Sequence, residues 1–339
     1  MPRLKIAQLC EHYLRPFFRP NRPHYKVWEI LAALEPSPRL AADLRINTDG
    51  AQAPNEVDEY WSGHTVQAFE YRSKLQSRLW LAFRFQLYPQ FKEFMELYGH
   101  HSGKTVVDFG CGPGNDVLGF ALYSGAARVI GIDVSPKALE IARMRLALHG
   151  IGGDEVDLIL SSDSTHEIPL ETGSVDHVYC EGVLMHTGSP ETYLREFHRI
   201  LSDGGGGHLM VYNRDSVWYH LYSSYVLKIA RSRFAEFSDM EVFQRSTDGE
   251  NCPLARNYTN GEFLSMLRTA GFEADYVGGY LSLHELKIMD EFLEAALEDE
   301  RLDQSHRDFL ARLESDREGF PTFEGKAAGI GGVYRIRKA

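Results

Sequence analysis

Residues 106–114, VVDFGCGPG, constrain this chain more than any other stretch. A β-branched run that halts at an acid and three glycines spaced Gly-x-Gly-x-Gly reads as a buried strand turning sharply into a helix. Gly110, Gly112 and Gly114 open backbone conformations closed to other residues and let a ligand approach the main chain closely. A helix expected over residues 115–123 would aim its free N–H groups and the positive end of its dipole at that ligand.

A dinucleotide-binding turn uses G-x-G-x-x-G, so the glycines alone leave two ligand classes open. Two details separate them. The third glycine comes one residue early for the nicotinamide fingerprint, and Asp108 sits two residues before the first. A carboxylate there repels a pyrophosphate and suits a ligand with an ammonium group. S-adenosylmethionine carries an ammonium and no phosphate, whereas a nicotinamide dehydrogenase is disfavoured on both counts.

With these residues in view the chain resembles the class I S-adenosylmethionine-dependent methyltransferases, and further motifs follow in family order. IGID, residues 130–133, reads as a second strand ending in an acid nineteen residues after Gly114; the resemblance gives Asp133 the ribose hydroxyls. Ser135 and Pro136 supply an N-cap and an N1 proline for a helix with Leu139, Ala142 and Leu146 on one face and Gly150 as its stop. A third strand near residues 157–160 leads to Asp163 and Ser164, where the family places an acid near the adenine amino group. Strand four, 175–180, runs into EGVLMHT, and LREFHRILSDGG leads into strand five, 208–213, as in ubiquinone-biosynthesis-type small-molecule methyltransferases. Where that pattern has two adjacent histidines, this chain has Met185-His186.

The resemblance covers residues 100–213 closely and implies a doubly wound, mostly parallel seven-stranded sheet with S-adenosyl-L-methionine as cofactor. The expected cofactor-binding set is Asp108, Gly110, Cys111, Gly112, Gly114, Asp133, Val134, Asp163, Ser164 and Glu181, with an arginine from the helices before strand one for the carboxylate of the methionine part. Both Arg72 and Arg84 qualify by position. A guanidinium binds a carboxylate in two-pronged fashion.

The sulfonium donor is electrophilic already, so the protein's main task is to align a nucleophile behind the methyl at about 3 Å and exclude water. Open α/β sheets bind ligands at the carboxyl ends of their strands, which selects Glu181, His186, Tyr212, Asn213 and Arg214 as acceptor-facing groups. His186 is the candidate base, because histidine changes charge near neutral pH. Tyr258, beside the Thr259-Asn260 helix start, is placed either over the acceptor or as a structural aromatic. The expected reaction is in-line O-, N- or C-methylation of a small molecule; a non-catalytic cofactor-binding or regulatory protein on the same fold is the alternative.

Four segments divide the 339 residues. Residues 1–99 read as a proline-rich arm followed by two helices, separated at Pro89, that cover the cofactor. The cofactor-binding core is 100–213. Residues 214–260, too long for an ordinary loop, carry WYHLYSSYVLKIA at helical spacing and a polar turn, STDGENCP, expected to stay mobile. They suggest a helical lid. Residues 261–339 complete the sheet around an acidic helical insertion at 284–318.

Charged residues make up 25% and apolar residues 43%, so a large core is affordable and global disorder is unsupported. The net charge of −12 argues against a sequence-independent grip on nucleic-acid phosphates. The scattered cysteines, 10, 111, 180 and 252, read as reduced thiols, and no apolar run reaches the ~18 residues of a membrane span. A cytoplasmic enzyme is expected. Its partner is a small-molecule acceptor, a homodimer stays open, and no histidine or cysteine spacing calls for metal.

Overall fold

The computed structural model describes residues 43–49, 51–66 and 69–338. Most of the proline-rich arm, with its basic first thirty residues and Cys10, lies outside that range. Eleven strands occur among the described residues: β1 (Ile46–Asn47), β2 (Thr105–Phe109), β3 (Arg128–Asp133), β4 (Val156–Leu160), β5 (Val175–Glu181), β6 (Leu201–Tyr212), β7 (Phe272–Tyr280), β8 (Glu314–Ser315), β9 (Pro321–Phe323), β10 (Lys326–Ala327) and β11 (Gly331–Lys338).

Eight of them form one twisted sheet in the order β1-β4-β3-β2-β5-β6-β11-β7. β11 runs antiparallel to both neighbours, and the pairs from β1 to β6 are parallel. This is the class I methyltransferase sheet with one strand more than expected. The addition, Ile46–Asn47, pairs with Leu158 and Ile159, and two residues are too few to show any alternation. Val106, Val107, Asp108 and Phe109 on β2 are all buried, as a strand covered by helices on both faces must be. Strand order reverses between β2 and β5, so the carboxyl ends of these two strands flank the crevice where such sheets bind ligands.

The helix over Asn115–Tyr123 follows β2. That over Pro136–His149 starts at Ser135, whose side chain accepts from the Ala138 N–H, and ends at Gly150 with φ +78°. Ahead of β2, Lys74–Leu87 is helical as expected, but the second helix spans only Phe91–Phe94. Glu96 and Tyr98 take left-handed φ angles of 45° and 63° and end it. The turn sends the Tyr98 ring inward, where its hydroxyl donates to Asp116 at 2.6 Å. A buried polar partner prevails over helical periodicity there.

The 214–260 segment holds a π-type helix, Trp218–Ala230, and an α-helix, Asp239–Thr247. Leu221 and Val226 of the first pack with Leu286, Met289, Phe309 and Phe320 into a second hydrophobic cluster. The acidic insertion is two helices, Leu283–Glu298 and Gln304–Ala311, followed by a small antiparallel sheet, β10-β9-β8, with no counterpart in the sequence expectations. His306 Nε2 lies 3.0 Å from Asp239 Oδ2, and His220 Nδ1 lies 2.9 Å from His306 Nδ1. These contacts tie the two insertions into one cap. Among the described residues no helix is long and apolar enough to cross a membrane.

Candidate functional site

A cavity of about 440 Å³ opens over the carboxyl ends of β2, β3 and β5 and beneath the cap, within the usual range for small-molecule sites. Its floor is the glycine turn. Gly110 and Cys111 donate their N–H groups to the Ile132 carbonyl at 2.8 and 3.0 Å, tying the turn to β3. Gly112, at φ +52°, has nothing within 4 Å of the position a Cβ would take. Its N–H donates to Asp133 Oδ2 at 2.7 Å, while Asp133 Oδ1 accepts from Ser135 N–H at 2.8 Å. Burial pushes the Asp133 pKa up against these stabilising N–H groups. Gly114 has a different task from the one expected: a Cβ there would meet Ala142 Cβ at 2.8 Å, so it lets the 136–149 helix approach.

Behind the turn lies a charged cluster. Asp108, Asp116, Arg84 and Glu181 all line the cavity. The Arg84 guanidinium donates to Asp116 at 3.0–3.1 Å and to Glu181 at 2.9 Å. Tyr98 and Tyr179 donate to Asp116 at 2.6 and 3.2 Å, and Tyr280 donates to Glu181 at 3.1 Å. Two carboxylates therefore share one guanidinium, with Asp108 beside them in the cavity wall. Burial, then the charges of Asp116 and Glu181, drive the Asp108 pKa well up; burial also raises that of Glu181, with Arg84 opposing. Of the two arginines weighed from sequence, Arg84 reaches the cavity, whereas Arg72 is exposed and does not line it.

This donor set fits an S-adenosylmethionine. An ammonium would meet Asp108 and its acidic neighbours, the space above Gly112 admits a ligand against the backbone, and Asp133 offers carboxylate oxygens to hydroxyls.

The opposite rim is built from a short helix at the end of the arm, Glu56–Gly63. Asn55 and Asp58 form a capping box at its start. Asp58 also accepts from the Asp163 N–H at 2.9 Å and the Ser162 hydroxyl at 2.6 Å. The helix thereby lays Val57 and Trp61 against the cavity beside Val134 and Asp163. The Asp163 carboxylate accepts from the Gly188 N–H at 3.0 Å. Ser164 is a correction: it is exposed, its hydroxyl meets that of Ser162 at 2.8 Å, and it does not line the cavity.

Beneath the cap the cavity ends at His186, Tyr212, Asp248 and Trp218. His186 is buried, with Nδ1 2.5 Å from the Leu254 carbonyl oxygen. Nε2 is 3.3 Å from Asp248 Oδ2, within ion-pair distance but without hydrogen-bond alignment, and has no hydrogen-bond partner among the described residues. Asp248 accepts the Tyr212 hydroxyl at 2.6 Å, and its backbone carbonyl accepts from Tyr60 at 2.6 Å. Burial, followed by Asp248, drives the Tyr212 pKa well up and keeps its proton in place. The polar turn read as a mobile element thus contributes a carboxylate to the site.

Asn213 and Tyr258 are further corrections, since neither lines the cavity. Asn213 Nδ2 donates to the Asp215 and Gly329 carbonyls at 2.8 and 3.1 Å and Oδ1 accepts from the Asp215 N–H, closing the end of β6. The Tyr258 ring packs on Phe263, centroids 5.2 Å apart, as a structural aromatic.

The family model for a methyltransferase domain matches residues 107–209. The chain is 29% identical over 178 residues to the ubiquinone biosynthesis O-methyltransferase of Thiobacillus denitrificans, covering 52% of this chain and 68% of that protein. To the ribosomal protein L11 methyltransferase of Aeromonas hydrophila it is 47% identical over 68 residues, 20% of this chain and 22% of that one. A solved S-adenosylmethionine-dependent methyltransferase from Mesorhizobium loti aligns at a TM-score of 0.45 with 17% identity, covering 74% and 97% of the two chains. The chain spans about half the length, or less, of most of the curated relatives it matches. The glycine turn, its following acid, the sheet order and the matched family model together make residues 107–209 a class I S-adenosylmethionine-dependent methyltransferase domain.

Proposed function

We propose that the chain methylates a small molecule held between the glycine turn and the His186–Asp248–Tyr212 group. The observation that carries this reading is the continuity of one cavity, lined at one end by Gly112 and Asp133 and at the other by His186, Tyr212 and Asp248. Its volume and its roof of Trp61 and Trp218 favour a compact acceptor. The relative named for ubiquinone biosynthesis supports the same substrate class.

When bound, S-adenosylmethionine supplies the electrophilic methyl. The chain's own residues do the rest. Asp133 and the acidic cluster orient the donor, Trp61 and Trp218 exclude water, and the cavity walls hold the acceptor in line. His186 takes the acceptor's proton. With Nδ1 facing the Leu254 carbonyl, that nitrogen carries the hydrogen, which leaves the Nε2 lone pair open. Once protonated, Nε2 faces the Asp248 carboxylate, which stabilises the imidazolium and fixes its orientation.

The test is mass-spectrometric detection of S-adenosylhomocysteine and a methylated product when the full chain is incubated with S-adenosylmethionine and a panel of small phenols, amines and carboxylates. Ribosomal protein serves as a macromolecular comparator. Methylation of ribosomal protein with none of the small acceptors would overturn the proposal.

A further inference from the structure

We infer that the methyl acceptor is a cationic amine, an inference that deepens the preceding reading and rests on it. Six carboxylates line the cavity, Asp108, Asp116, Asp133, Asp163, Glu181 and Asp248, against the single guanidinium of Arg84. S-adenosylmethionine, with a sulfonium, an ammonium and a carboxylate, brings one net positive charge and leaves most of this surplus unmatched. Burial raises the pKa values of Asp108, Asp133 and Glu181. Proton uptake is how a buried acidic site lowers its charge without a ligand, and a bound cation reverses it.

One of the six, Asp248, stands at the acceptor end, held by the Tyr212 hydroxyl, while Glu181, held by Arg84 and Tyr280, belongs to the cluster behind the glycine turn. Between them the wall is aromatic: Tyr88 and Tyr280 lie with centroids 5.6 Å apart, His186 and Tyr212 5.5 Å, and Trp61 and His186 4.9 Å. Tyr88 lines the same cavity as Glu181 and Asp248; burial, then the charge of Glu181 against that of Arg84, pushes its pKa up to about 12. Aromatic faces beside carboxylates attract an ammonium through both cation–π and ionic terms. The same carboxylates repel a substrate carboxylate and disfavour the negative charge that develops on a phenol oxygen as it loses its proton.

The step balances. The substrate ammonium gives one proton to His186 Nε2, which exposes the nitrogen lone pair. That pair forms the new N–C bond to the methyl while the C–S bond breaks and its electrons return to sulfur. The products are a methylated ammonium, a neutral thioether and an imidazolium facing Asp248.

The experiment uses the full chain at about 150 mM salt and three probes with a common ring: 2-phenylethylamine, 4-ethylphenol and phenylacetate. Binding of each is titrated with S-adenosylhomocysteine present, and methyl transfer is read with S-adenosylmethionine. The amine is expected to bind at least about tenfold more tightly than the other two and to be the one methylated. Asp248→Asn should narrow that preference to about threefold or less while S-adenosylmethionine still binds. Equal binding, preferential binding or methylation of the phenol or the carboxylate, or no binding of any probe overturns the inference if the wild-type protein binds S-adenosylmethionine. Failure to bind S-adenosylmethionine at all would instead remove the functional reading beneath it.

Discussion

Asp248, from the turn that closes the 239–247 helix, reaches within 3.3 Å of His186, which follows β5, while accepting the Tyr212 hydroxyl from the end of β6. Three separate elements thus converge on one imidazole whose Nε2 is buried and open. Proton acceptance by a positioned histidine contributes about 10²–10⁴-fold to rate. His186→Gln should therefore lower kcat by roughly that factor. Asp248→Asn should cost about 10-fold to 100-fold, with S-adenosylmethionine affinity changed by less than about threefold. Steady-state kinetics and calorimetry on the same preparations check both.

Arg84 supplies the cation at the centre of the acidic cluster. Removing one partner of a buried ion pair leaves the other charge uncompensated, at about 3–5 kcal/mol. Arg84→Met should destabilise the fold by that order, read as a lower urea midpoint. Arg84→Lys should fall between, because an ammonium lacks the fork that reaches Asp116 and Glu181 together.

Three buried histidines, His101, His177 and His208, pack in a row with centroids 4.4 and 5.5 Å apart. Burial lowers the pKa of His101 and His208 to about 4 and that of His177 well below its ordinary value. The unfolded chain binds these protons near pH 6.5 and the folded chain resists them. Stability is then complete above about pH 6.5 and is lost as pH falls toward 4. Urea unfolding at pH 7 and pH 5 should differ by on the order of 1–2 kcal/mol per histidine, and His177→Phe should flatten the dependence.

Trp218 lines the cavity and donates its indole N–H to Ser246 at 2.9 Å, while Tyr222 packs edge-on against it. Trp218→Ala with Tyr222→Ala should abolish methyl transfer and leave cofactor affinity within about 1 kcal/mol, because the groups proposed to hold the donor lie at the ends of β2, β3 and β5. A comparable loss of cofactor affinity would place the donor under the cap.

The glycine-turn end of the cavity was legible because its signals are local: Asp108, the glycines and Asp133 lie within one strand-turn-helix-strand unit. The rest of its wall was not. Asp248 meets Tyr60 across 188 residues, and Asp58 meets Asp163 across 105, so no spacing rule connects them. Asn213 sits at the strand end where ligands gather, but position along a strand does not say which way a side chain points, and its amide turns to the Gly329 carbonyl. The polar composition of STDGENCP indicated a solvated turn, yet it gave no sign that Tyr60 and Tyr212 would fix its aspartate.

The central claim is that the cavity over Gly112 and Asp133 holds S-adenosylmethionine, and titration calorimetry of that ligand into wild-type protein and Asp133→Ala tests it most directly. Charge-assisted hydrogen bonds to hydroxyls are worth about 2–3 kcal/mol together, so the variant should bind on the order of 30-fold to 150-fold more weakly. Its urea midpoint should also fall, because the Gly112 and Ser135 N–H groups lose their acceptor, so binding is compared under conditions where both proteins are folded. No heat of binding to the wild-type protein, or equal affinity in the two, would contradict the account.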